Sequence, residues 1–247
     1  MTGYLGISTT TGYRADELRT GGILDAVLTE EKYMRVTMIH AIAESIPPVR
    51  LAFGEEFPEA EVINVLDEGL LIDFDDQLTP NLRRRMNDLI GYCQDNHADA
   101  IGLACSVYAP VVDSAKDLED VPLVSSYGPV MADAVAAGPK VGLIALVAAT
   151  MRDSEYYLKL AAEEAGKPVE PHLCLAEDLI PVMRAEGQRG LERRPEEEVM
   201  KLAPNVDVVL LSQFSFAAAL SHLQKVSPVP VLSAPHSSAR TLKRLLS

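Results

Sequence analysis

Short apolar runs alternate with longer amphipathic stretches along this chain, and the alternation is played through twice. Runs rich in Val, Ile and Leu, bounded by turn-forming residues, predict strands over 35–39, 61–66, 100–104 and 122–124. Helical periodicity between and after them predicts helices over 45–56, 80–96, 109–116 and 129–137. A second series follows, with strands over 140–146, 170–175, 206–211 and 230–232. Its helices are expected over 151–165, 177–186, 195–202, 216–225 and 236–246. Strand and helix in strict alternation is the pattern of parallel sheets covered by helices. The expected fold is therefore α/β, with two similar lobes related by a pseudo-twofold and a site between them. The boundaries read as a lead-in over 1–33, a first lobe over 34–127 and 230–247, and a second lobe over 128–229.

The repeat is sharpest in two segments. Asp99-Ala-Ile-Gly-Leu-Ala-Cys-Ser106 is answered by Asp207-Val-Val-Leu-Leu-Ser-Gln-Phe214, with the same spacing between the two Asp residues as between Cys105 and Gln213. In open parallel sheets ligands bind beyond the carboxyl ends of the strands, where helix N-termini offer unpaired N–H groups. A thiol and an amide at equivalent strand ends thus become the first candidates for chemistry. Cys105, placed just before a helix, is expected to be favoured as thiolate and to act as acid/base or nucleophile. Gln213 cannot exchange protons but can donate and accept hydrogen bonds, which suits holding a carboxylate or an enolate-like oxyanion. His40, closing the first strand, is a candidate proton donor or carboxylate ligand. Ser106, Thr150 and Ser215 stand at similar strand-to-helix junctions as substrate-binding candidates, and Thr150-Met-Arg-Asp153 has capping-box spacing. His236 at the last helix start is a weaker candidate of the same kind, and Tyr108 reads as packing. Cys93 lies on the amphipathic stretch 80–96 and reads as packing too.

Composition narrows the classes. The chain has 247 residues, 48% of them hydrophobic and 23% charged, which is globular composition. A formal net charge of −14 without a basic stripe argues against nucleic acid as a partner. No apolar run has the length of a membrane span, and the lead-in lacks a secretory pattern, so a cytoplasmic protein without membrane attachment is expected. Three cysteines without ligand spacing argue against a disulfide framework or a metal. The acidic blocks Glu163-Glu164 and Glu196-Glu197-Glu198 are expected on solvated helix faces. Phosphate-loop, dinucleotide-fingerprint, zinc-peptidase and serine-elbow motifs are absent.

From Arg35 onward the chain resembles the aspartate/glutamate/hydantoin racemase superfamily, which includes maleate isomerases and arylmalonate decarboxylases. The resemblance is carried by the Asp99–Ser106 strand with Cys105, by Gly142-Leu-Ile-Ala145 leading to Thr150, by the Asp207–Ser215 strand, and by Pro230-Val-Leu-Ser233. It implies a pair of α/β lobes, cofactor-independent chemistry on a carbon acid, a small carboxylate-bearing substrate, and assembly as a homodimer or higher homo-oligomer. Racemases of the superfamily use two cysteines on opposite faces of the substrate. Cys105 matches one of them, and Gln213 stands where the other would be. The resemblance therefore implies an isomerase or racemase with one thiol, with two alternatives: a decarboxylase or lyase using Cys105 as proton donor, or a carboxylate-binding protein without activity.

Overall fold

A computed structural model describes residues 34–247 of the chain, so the lead-in lies outside the described residues. The first half runs β1 (Met34–His40), α1 (Ile46–Glu56), β2 (Ala60–Leu66), α2 (Gly69–Ile72), α3 (Pro80–Asp95), β3 (Ala100–Leu103), α4 (Ala109–Ala115), β4 (Leu123–Val124) and α5 (Gly128–Ala137). The second half runs β5 (Lys140–Ala145), α6 (Ala148–Glu164), β6 (Glu170–Leu175), α7 (Leu179–Glu186), α8 (Gln188–Leu202), β7 (Val208–Leu211), α9 (Ala217–Val226), β8 (Val231–Ser233) and α10 (Ala234–Leu246). Two 4-stranded sheets result, in the orders β2-β1-β3-β4 and β6-β5-β7-β8. Every strand pairing is parallel, and the registers match between the sheets: Val36 faces Ala100 as Val141 faces Val208.

The two leading Asp residues explain why the repeat is visible in sequence. Asp99 donates its amide to Arg35 O at 2.8 Å and accepts the Arg35 N–H on its carboxylate at 2.8 Å. Asp207 does the same with Lys140, at 2.7 and 2.8 Å. Each carboxylate thus continues the ladder by one rung, supplying an acceptor to a backbone N–H that would otherwise have none.

The lobes share one core. Val36, Met38 and Ala100 from the first sheet cluster with Val141, Leu143, Val208 and Leu210 from the second, together with side chains of α1, α5, α6 and α10. Separate clusters fill the outer faces, around Ile101 and Leu103 under α3 and α4, and around Val209 and Leu211 under α8 and α9. The stretch 230–247, read from sequence as one return to the first lobe, divides: β8 pairs with β7 in the second sheet, whereas α10 packs on α1, α5 and β3. Close packing there depends on Gly102, where a Cβ would stand 2.5 Å from Met38 Sδ and 3.3 Å from Leu242 Cδ1.

Two expectations about helices change. Pro195 was expected to open a helix, but α8 begins at Gln188 and carries Pro195 in its interior. Pro195 is buried there, and on either side of it Arg193 and Arg194 pair one turn on with Glu197 and Glu198, each pair adding about 0.2–0.5 kcal/mol to the helix. The acidic block accordingly is not all solvated: Glu198 is buried between Arg194 and Lys201 and accepts a hydrogen bond from the Cys174 thiol at 3.2 Å. No helix among the described residues is long and apolar enough to cross a membrane.

Candidate active site

Beyond β3 and β7 the chain repeats one turn. Cys105 and Gln213 are both extended, with φ −136° and −108°, and each precedes a single 3-10 turn (Ser106–Tyr108 and Phe214–Phe216) that leads into α4 and α9. The third residue of each turn, Tyr108 or Phe216, is fully buried and anchors it. Both turns line the same cavity of about 170 Å³. Ala104, Cys105, Ser106 and Val107 form part of one wall, and Ser212, Gln213, Phe214 and Ser215, their counterparts in the repeat, form part of another. Ile42 and Ser45 from the β1–α1 junction, Leu71 from α2, and Ser126 and Tyr127 before α5 complete the lining. No Lys, Arg, Asp or Glu is among these residues.

Four of the sequence candidates, Cys105, Ser106, Gln213 and Ser215, are therefore brought together. The expected electrostatics of Cys105 are reversed. Burial pushes its thiol up, and the backbone N–H groups of Val107 and Tyr108, which pull the other way, only partly offset this. The sulfur is held as a thiol, poised to give a proton rather than to rest as thiolate. Gln213 accepts the Leu146 N–H on Oε1 at 3.3 Å, which fixes the amide and leaves its NH₂ as the end available to a ligand.

The other two candidates stand elsewhere. His40 is fully buried behind the cavity, with Nδ1 2.6 Å from Ser45 Oγ and Nε2 2.9 Å from Asn64 Oδ1. It reaches the cavity only through Ser45. Thr150 does not line the cavity and is not a cap, because α6 starts at Ala148 after the extended Val147 and places Thr150 inside its first turn. By strand register Thr150 is the second-lobe counterpart of Ser45, so the repeat holds in sequence where the function of the position does not. His236 is likewise a buried bridge, between Ser233 Oγ at 2.6 Å and Glu55 Oε2 at 3.0 Å. Tyr108 donates its hydroxyl to Leu70 O at 2.7 Å and pins the loop that carries Leu71.

Sequence reasoning did not single out Tyr127, Ser212 or Ser45. Tyr127 and Ser212 line the cavity; the Tyr127 hydroxyl is buried beside the Ser106 and Ser154 hydroxyls, and Ser212 Oγ is buried without a hydrogen-bond partner among the described residues. Burial holds the Tyr127 phenol far above its ordinary value, so it is a donor at neutral pH. Buried hydroxyls are seldom left unpaired, and Ser212, at the cavity wall, holds one that is. Ser126, which donates to Cys105 O at 3.3 Å, instead braces the turn.

The architecture is that of known racemases. An allantoin racemase from Klebsiella pneumoniae superposes with a TM-score of 0.67 at 12% identity, covering 86% of this chain and 87% of that one. An aspartate racemase homologue from Pyrococcus horikoshii OT3 gives 0.67 at 16%, covering 86% and 99%. A glutamate racemase from Bacillus anthracis gives 0.62 at 15%, covering 87% and 82%. No family model and no curated protein matches the sequence. At such identities the likeness establishes the two-lobed racemase fold.

Proposed function

We propose that this protein is a cofactor-independent isomerase of the racemase type, acting on a small carbon acid next to a carboxylate or carbonyl. The observation that carries the reading is the pairing of one thiol, Cys105, with a set of neutral donors in a cavity to which the described residues bring no Lys, Arg, Asp or Glu. Proton removal next to a carbonyl places negative charge on oxygen. The Gln213 NH₂ is the first group available to stabilise that charge, with the Ser106 and Ser215 hydroxyls beside it in the lining. Such donors act more strongly in a partly enclosed site of lower dielectric than in water. Cys105 is then the acid that returns the proton to carbon, a role that its protonated resting state suits. Structural neighbours include racemases of allantoin, aspartate and glutamate, all of them carbon acids, and these supply the first probes.

A second reading rests on the same thiol. A group that rests protonated is suited to quench an enolate formed by bond cleavage, so a decarboxylase or other lyase would use Cys105 as its proton donor.

The test is deuterium incorporation at the substrate carbon in D₂O, with the enantiomers of allantoin, aspartate and glutamate, and with malonates and maleate. We expect exchange with at least one probe, reduced by about 10²–10⁴-fold in Cys105→Ala. Loss of carbon dioxide with one-deuteron incorporation selects the lyase. Exchange that survives intact in Cys105→Ala overturns both readings, and tight binding without exchange leaves a carboxylate-binding protein.

A further inference from the structure

Gln213 cannot move a proton, and yet the cavity holds a second group with the architecture to do so. Ser45 lines the cavity one residue before α1, and its Oγ lies 2.6 Å from His40 Nδ1. The other ring nitrogen, Nε2, lies 2.9 Å from Asn64 Oδ1 on the neighbouring strand β2. We propose that Ser45, His40 and Asn64 form an activated-hydroxyl unit, with Ser45 as a further catalytic residue opening on the cavity beside Cys105 and with His40 and Asn64 as its positioning residues.

The hydrogen-bond logic is directional. An amide oxygen only accepts, so His40 Nε2 carries the ring proton and donates it to Asn64. In the neutral ring Nδ1 is then bare and accepts the Ser45 hydroxyl hydrogen. Burial lowers the His40 pKa to about 4, so the ring is neutral near pH 7 and Nδ1 is free to accept a hydrogen bond. Ile42 O, 2.8 Å from Ser45 Oγ, is the competing acceptor for the same hydrogen, and the Asn64 contact decides the competition by fixing the tautomer. Nucleophile or base, hydrogen-bonded imidazole and orienting third group are the parts of an activated hydroxyl.

In turnover, Ser45 Oγ takes a proton from the substrate while its own hydrogen passes to His40 Nδ1, giving an imidazolium balanced by the substrate's enolate. Cys105 then gives its proton to carbon, and turnover in the other direction runs the two steps in reverse. The unit rests on the reading above for the identity of the proton it moves, not for its reactivity. Reactivity can be examined without a substrate.

Methanesulfonyl fluoride is a small probe for this. Attack by Ser45 Oγ forms an O–S bond, fluoride leaves, and the hydroxyl proton passes through His40 to solvent. Ser106, Ser126, Ser212 and Ser215 line the same cavity and control for access. Peptide mass spectrometry of the labelled full chain is expected to show Ser45 modified about 100-fold faster than those serines. Asn64→Leu should slow Ser45 about tenfold or more by releasing the tautomer, and Asn64→Asp, which keeps an acceptor, should not. Far-UV circular dichroism verifies folding of both variants. With any probe that exchanges, Ser45→Ala should lower kcat about 10²-fold or more with little change in KM. Labelling of Ser45 no faster than Ser126, or indifferent to Asn64→Leu, overturns the proposal. Asn64-dependent labelling without carbon-acid exchange upholds the unit and removes the carbon-acid reading, whereas Cys105-dependent exchange with an inert Ser45 does the opposite.

Discussion

Cys105 and Gln213 sit at one position of a repeated turn and differ in chemistry, so substitutions there test the proposed proton transfer apart from the proposed charge stabilisation. Gln213→Glu keeps the acceptor that Leu146 N uses but replaces the available NH₂ by an anion in an uncharged cavity. Turnover is expected to fall about 10²–10³-fold, the usual cost of an oxyanion donor, in a kcat measurement on the exchanging probe. His40 gives a stability prediction. Its folded pKa is near 4 and its ordinary value is 6.5, so between those values the unfolded chain binds more protons and stability rises with pH. The contribution is complete above about 6.5 and is lost as the pH falls to 4. About 2.5 units correspond to roughly 3 kcal/mol. His236 is shifted in the same direction by burial. Urea midpoints followed by circular dichroism at pH 7 and 4.5 should differ accordingly, and equal midpoints would contradict the account. At this scale the equivalent positions of Cys105 and Gln213 were legible in the sequence, because a strand end announces its own position. The sequence did not disclose Ser45, Tyr127 or Ser212, since a serine before Pro47 looks like any helix start and an unpaired hydroxyl is a property of its surroundings.

At the scale of elements, a strand start is where an acidic side chain can do the work of another rung. Asp207→Ala removes the acceptor of the Lys140 N–H, and Asp99→Ala that of Arg35. Each is expected to cost about 1 kcal/mol, because both sites are open enough for water to replace part of the bond. Chemical denaturation measures it, and a cost near zero would mean that the repeat is kept for another reason. Alternation of strands and helices was legible here almost throughout. Two failures share a cause. Thr150 and Pro195 carry good helix-start chemistry, yet tertiary contacts begin α6 and α8 earlier, where α6 can pack on α5 and α8 on α7 and α9.

The whole molecule is held by a core that belongs to both sheets, so the cavity exists only while the lobes stay packed. Leu242 of α10 is fully buried in that shared cluster, against β3 at Gly102. Leu242→Ala should destabilise the fold by about 2–5 kcal/mol, as deletions of buried leucine do, with a single transition for both lobes. Two separate transitions in calorimetry would show that the lobes fold independently. Sequence by itself determined the period: apolar runs of strand length, helical stripes between them, and an Asp and a polar strand end repeated at one spacing. Such features are local, since each follows from backbone geometry within a few residues. Tertiary structure alone decided which polar groups face one another, how Ser45 meets His40 and Asn64, and that burial keeps Cys105 a thiol. Those properties depend on the dielectric and on partners brought from distant strands, and neither is written in the order of residues along any one of them.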